Sequence, residues 1–239
     1  METVRSQKGP INKLVRIPVN GVELEGALVV PPAARGIVLF AHGSGSSRHS
    51  PRNNFVAETL RAAGIGTLLM DLLTKQEDAI YQTRFDMELL SWRLERATQW
   101  LMEEPHAQSL DIGYFGASTG AAAALNAAAT FSSTIGAVVS RGGRPDLAMA
   151  ALDSVQAPTL LIVGALDDVV IELNRKAYER LKAEKQLAIV PGATHLFEEP
   201  GTLQEVARLA AAWFRRHLGA QRAANRTVEP NGQARGAES

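Results

Sequence analysis

Ser118, Asp167 and His195 are the residues of this chain whose types and order could perform nucleophilic catalysis. A serine hydroxyl attacks a carbonyl only when a base takes its proton, and an imidazole serves best when a carboxylate fixes its tautomer. The stretch Gly116-Ala117-Ser118-Thr119-Gly120 reads Gly-x-Ser-x-Gly and lies between an apolar run, 110–115, and an alanine-rich stretch, 121–129. That is the strand–turn–helix setting of a nucleophile elbow. The turn forces its middle residue into a strained conformation, and the residues two before and two after it must be small. The serine then projects at the amino end of a helix, where backbone amides favour negative charge.

The base and its orienting acid follow in the order that such an elbow requires. The apolar run 159–163 leads into Gly164-Ala165-Leu166-Asp167-Asp168, and the run 187–190 leads into Pro191-Gly192-Ala193-Thr194-His195. Each places its polar group just beyond a strand's carboxyl end, where the catalytic groups of open α/β sheets gather. His195 is the expected base and Asp167, first after its strand, the expected acid; Asp168 is the rival. The oxyanion that forms needs donors. The backbone amide of Thr119 is one, and the amide of Ser44, in His42-Gly43-Ser44-Gly45-Ser46-Ser47, is the expected second. His42 is read as a buttress of that loop through hydrogen bonds.

The elements that must carry these groups alternate along the chain. Residues 14–19 and 22–30 alternate apolar and polar around Asn20-Gly21, the signal of an edge hairpin. Six further runs, 37–40, 65–70, 112–115, 135–139, 159–163 and 187–190, are apolar without alternation, as in strands inside a parallel sheet. Helical patterns cover 54–63, 84–102, 173–181 and 203–218, with Phe85 and Trp92 among the core-facing residues of the second. The fold class is therefore α/β, doubly wound. Residues 1–219 are expected to form one domain, and 220–239, polar and aperiodic, a disordered tail. About twenty residues part the run 135–139 from 159–163, too few for a helical lid, so an open cleft is expected.

Composition narrows the function classes. Lys plus Arg and Asp plus Glu number 25 each, so no net field draws the chain to nucleic acid or an anionic membrane. There is no cysteine, which excludes disulfides, thiolate nucleophiles and Cys-based zinc sites. Arg5 and Lys8 precede no apolar stretch, so no secretory signal is read and a cytoplasmic location is expected. No metal-ligand cluster or P-loop stands in a fitting context. Arg141, Arg144 and Arg48 follow strand ends near the cleft, so an anionic acyl substrate is one expectation. The other is that Arg141 pairs with Asp71 or that these arginines stay solvated.

On these residues the chain resembles the α/β-hydrolase superfamily, and within it the dienelactone-hydrolase-like group. The resemblance spans about 12–218 and rests on His42-Gly43, the elbow at Ser118, Gly164-x-x-Asp167 and Gly192-x-x-His195. It implies the α/β-hydrolase fold, a mostly parallel eight-stranded sheet with helices on both faces, and hydrolysis of esters or related acyl bonds without a cofactor. Dienelactone hydrolases proper use a cysteine nucleophile, and the matching position is Ser118, which favours general ester chemistry over the lactone. Residues 140–146 also resemble hydrolase domains fused to phosphoribosyltransferases. A serine carboxylesterase acting on small esters is the leading expectation. Thioesterase, lactonase or small-peptidase activity on the same triad, or a non-catalytic ligand-binding protein of this fold, are the alternatives.

Overall fold

The computed structural model describes residues 9–219; the tail expected at 220–239 lies outside them. Asn20 and Gly21, both at positive φ, turn β1 (Ile11–Val19) back onto β2 (Val22–Val30), and the two pair antiparallel along their full length. The remaining strands are β3 (Gly36–Ala41), β4 (Gly66–Met70), β5 (Asp111–Ala117), β6 (Ile135–Arg141), β7 (Thr159–Gly164) and β8 (Lys185–Val190). They form one eight-stranded sheet in the order β1-β2-β4-β3-β5-β6-β7-β8. β2 joins β4 antiparallel and every later pairing is parallel.

Strands β3 to β7 are buried along their whole length, as expected for runs apolar on both faces. Helices α1 (Pro51–Ala62) and α6 (Thr202–His217) cover one face, where Val56, Leu60, Val206 and Phe214 meet Phe40, Phe115 and Val139. Among the other helices, α2 (Lys75–Asp78) is a single turn beyond β4, with no buried residue. Helices α3 (Met87–Glu103), α4 (Thr119–Phe131) and α5 (Asp168–Arg180) cover the opposite face, centred on the buried alanines of α4. Only two short 3-10 turns, Pro145–Ala148 and Leu152–Ser154, interrupt the connection from β6 to β7, and no lid is inserted. No helix among the described residues is long and apolar enough to cross a membrane.

Three expectations shift. The run 187–190 was expected inside the sheet; it belongs to β8, the far edge strand, where Ile189 is 39% exposed. The helix expected from 84 begins at Met87, because the Asp86 carboxylate accepts the Leu89 amide and caps it there. Phe85 consequently sits in a preceding 3-10 turn, exposed rather than in the core. The mixed-charge segment 71–78 holds α2, closed by a capping box between Thr74 and Glu77.

The tightest packing lies where β5 enters α4. A Cβ on Gly116 would stand 2.4 Å from Ala121 Cα, and one on Gly120 would stand 2.2 Å from the Ala41 carbonyl oxygen. Backbone cannot yield as a flexible side chain can. Gly120→Ala is therefore expected to destabilise the fold by about 3 kcal/mol or more, read as a lower urea midpoint.

Candidate active site

Ser118 caps α4 with φ 51° and ψ −121°, a conformation that costs a residue with a side chain roughly 1–3 kcal/mol. Two backbone hydrogen bonds hold it there. The Ser118 amide donates to the Arg141 carbonyl at 3.2 Å, and the Arg144 amide donates to the Ser118 carbonyl at 3.0 Å. The segment from Arg141 to Arg144 thus clamps the elbow from both sides. The same segment receives the histidine: a Cβ on Gly142 would lie 3.5 Å from both Cε1 and Nδ1 of His195. Ser118 and His195 thus each lie against the segment from Arg141 to Arg144.

His195 Nδ1 lies 2.7 Å from Asp167 Oδ2. With the proton on Nδ1 facing the carboxylate, Nε2 is the free, basic nitrogen. Asp168, the rival acid, is exposed in the first turn of α5 and makes no such bond. The acid and base loops are joined at the backbone. Gly164 passes so near the next loop that a Cβ there would be 2.3 Å from the Ala193 carbonyl oxygen, and the Leu166 amide donates to that oxygen at 2.9 Å. Beyond His195, Phe197 is buried at positive φ and anchors the loop in the core. The imidazole side chain is 38% exposed, so the rim is open to solvent. The Ser118 hydroxyl makes no hydrogen bond among the described residues.

The loop after β3 lies against the elbow, where a Cβ on Gly43 would be 3.1 Å from Ser118 Cβ. His42 holds that loop. Its Nε2 accepts the Leu72 amide at 3.0 Å, so Nδ1 carries the proton and donates to the Gly43 carbonyl at 2.9 Å. Burial pushes the His42 pKa below its ordinary value and keeps the ring neutral. Ser44, expected as a direct oxyanion donor, gives its amide to Thr119 Oγ1 at 3.0 Å.

The expected substrate-binding arginines are occupied elsewhere. Arg48 is ion-paired with both Asp71 and Glu25, and Arg144 forms paired hydrogen bonds with Asp146. Asp71 is thereby paired with Arg48, not with Arg141. Arg141 was expected just past its strand, facing the cleft. It is instead the last residue of β6, 6% exposed, because it shares the face of Ala137 and Val139 that packs toward α1 and α6. Its Nη2 donates to Asn53 Oδ1 at 3.3 Å, and its guanidinium carbon lies 5.9 Å from the centre of the Phe197 ring. Burial, with Arg52 nearby, pushes its pKa down to about 10. Arg84, which the sequence reading passed over as the start of a helix, lines a small pocket with His42, Gly43, Ser44 and Gly45. Beside it, a depression of about 260 Å³ is lined by Ser46, Arg48, His49, Asp71 and Lys75 among others.

The dienelactone hydrolase family model matches residues 24–219. This chain belongs to the dienelactone hydrolase family. A crystal structure of dienelactone hydrolase from Anabaena variabilis is 56% identical to it, covers 88% of this chain and all of that one, and superposes with a TM-score of 0.85. Est1E from Butyrivibrio proteoclasticus, also solved with ferulic acid bound, shares the fold at 17% identity and a TM-score of 0.73, over 85% of this chain and 98% of its own. A Mycobacterium tuberculosis protein named "Putative phosphoribosyl transferase" is 58% identical over 204 residues. That match takes in 85% of this chain and 46% of the mycobacterial protein, so the family member spans about half the length of this relative.

Two tests follow from these contacts. Arg141→Met should remove the support beneath Phe197 and lower kcat about tenfold on neutral and carboxylate-bearing esters alike. A rise in KM confined to the carboxylate-bearing esters would instead put Arg141 in contact with substrate. Burial also depresses the His217 pKa, so His42 and His217 both bind a proton less readily in the fold than in the unfolded chain. The unfolded chain takes up their protons from about pH 6.5 downward, so this stability is present above that pH and is lost as pH falls further. Urea midpoints should drop between pH 7.5 and pH 5.5, and less steeply in His42→Gln.

Proposed function

We propose that this family member is a serine hydrolase of small carboxylic esters, working through an acyl-enzyme on Ser118. The observation that carries the reading is the 2.7 Å bond between His195 Nδ1 and Asp167 Oδ2, taken with a serine held at positive φ at an elbow that shares the 141–144 segment with His195. His195 Nε2 takes the hydroxyl proton as Ser118 Oγ attacks the ester carbonyl. Asp167 keeps the proton on Nδ1 and stabilises the imidazolium. Collapse of the tetrahedral intermediate breaks the bond to the alcohol, which leaves with the proton from Nε2. Water, deprotonated by the same nitrogen, then attacks the acyl-Ser118 ester, and the acid is released with the serine hydroxyl restored. The Thr119 amide, at the first turn of α4, supports the oxyanion in both steps.

Hydrolysis needs no cofactor in this scheme, and a small, solvent-reachable ester suits a site without a lid. The transferase named in the longer mycobacterial relative is not the favoured reading, because the matched residues are those of the hydrolase family.

The test is turnover of p-nitrophenyl acetate together with labelling by an organophosphonate, the adduct being located by mass spectrometry. Label on Ser118 and loss of about 10⁴- to 10⁶-fold in kcat in Ser118→Ala and His195→Ala are expected. A loss below tenfold in either variant overturns the assignment.

A further inference from the structure

Several threonines of this fold donate their hydroxyl protons to nearby carbonyls, while the buried Thr67, which accepts from Arg61 Nη1 at 3.2 Å, and Thr119 find no acceptor among the described residues. Thr59, Thr98 and Thr130, inside helices, each donate to the carbonyl four residues earlier. Thr202, at the first position of α6, donates to the Glu199 carbonyl at 2.8 Å. Thr119 occupies the corresponding first position of α4 and is only 3% exposed. Its Oγ1 accepts the Ser44 amide, and among the described residues its proton has no acceptor. A buried hydroxyl that accepts without donating leaves its one donor unused, directly beside the elbow.

We infer that the Thr119 hydroxyl is a catalytic oxyanion donor, polarised by the Ser44 amide that it accepts. The inference rests on Ser118 being the nucleophile, as proposed above. In this arrangement Thr119 donates twice to the carbonyl oxygen as it becomes negative, once through its backbone amide and once through Oγ1–H. The Ser44 amide acts through that hydroxyl as a positioning group. Accepting a hydrogen bond strengthens a hydroxyl as a donor, so the chain Ser44 N–H to Thr119 Oγ1–H to oxyanion is stronger than its last link alone. No bond within the protein is broken on catalysis: Ser44 stays on Thr119 throughout, and the unspent proton gains its acceptor only as charge develops. An interaction strongest in the transition state accelerates the chemical step. The Ser44 loop is built to hold this geometry. His42 and the Ser46 amide both bond the Gly43 carbonyl, and Gly45 turns the chain at φ 66°.

The alternative in which Ser44 contacts the oxyanion directly makes the opposite forecast. There Thr119 Oγ1 competes for the amide, and removing it frees the donor. Thr119→Val keeps the shape and loses the hydroxyl. On p-nitrophenyl acetate it should lower kcat and kcat/KM together, about 100-fold, as removal of one oxyanion donor does. Thr119→Ser should stay within about threefold of the parent, and a trifluoromethyl ketone should lose affinity for the Val variant in parallel with kcat/KM. Thr119→Ala, measured alongside, covers the case in which Val does not fold. Activity of the Val or Ala variant at or above the parental level, with Ser118 still labelled by phosphonate, overturns the hydroxyl's role and leaves the nucleophile standing. Undiminished activity in Ser118→Ala would remove the proposed function itself.

Discussion

Strand β5 and helix α4 meet at Ser118 with so little space that backbone touches backbone on both sides of the turn. Gly120 lies against the carbonyls of Ala41 and His42 at the end of β3, and Gly116 lies against Ala121 in the first turn of α4. The contact ties four elements to one point, because the Arg141 carbonyl at the end of β6 also holds the Ser118 amide. The positive φ of the serine follows from that geometry, and so does the aim of the first α4 amides at the space above it. The strain is maintained by burial. Nine residues of α4 are buried, mostly alanines that let the helix sit close to the sheet.

A second contact of the same kind sets the relation of acid to base. Gly164 and the Ala193–Thr194 peptide touch at backbone distance, and the Ala165 and Leu166 amides reach across to the Val190 and Ala193 carbonyls. The Asp167–His195 bond is therefore built on a clip between two loops that side chains do not mediate. Phe197 then pins the distal end of the histidine loop into the core, with the Arg141 guanidinium under its ring. The frame is rigid where the backbones meet. The two groups that exchange a proton under the proposed mechanism, the Ser118 hydroxyl and the exposed edge of His195, belong to the elbow and the loop that this frame holds.

What the sequence disclosed follows the range of the interactions involved. The Asn20-Gly21 hairpin, the buried parallel strands and the strand–turn–helix around Ser118 are local patterns, and each lies where its pattern put it. Edge and interior strands differ only in their neighbours, so the apolar run at β8 carried no mark of its place at the sheet's border. Arg141 is a case where a local rule sufficed but was not applied. Counting in twos from Ala137 and Val139 puts it on the α1 and α6 face, away from the mouth. Thr74-x-x-Glu77 was likewise a readable capping box, and Asp86 three residues before Leu89 a readable cap. The bond from Ser44 to Thr119, by contrast, spans 75 residues and joins two loops, and no spacing rule announces it.

The charges at the rim also bear on what kind of protein this is. Arg48 is held by two carboxylates and Arg144 by one, so most positive charge near the mouth is neutralised within the protein. Arg84, the guanidinium bordering the small pocket by the β3 loop, is likewise paired, with Asp78. A site that only bound a ligand could be built on such a rim with an ordinary turn at 118. It would gain nothing from a serine in a strained conformation or from a carboxylate placed on the hidden nitrogen of an exposed imidazole. Both features cost stability or freedom, and both serve the proton transfer of the proposed mechanism. Their presence together in a hydrolase family member is the physical argument for the proposed chemistry over binding alone.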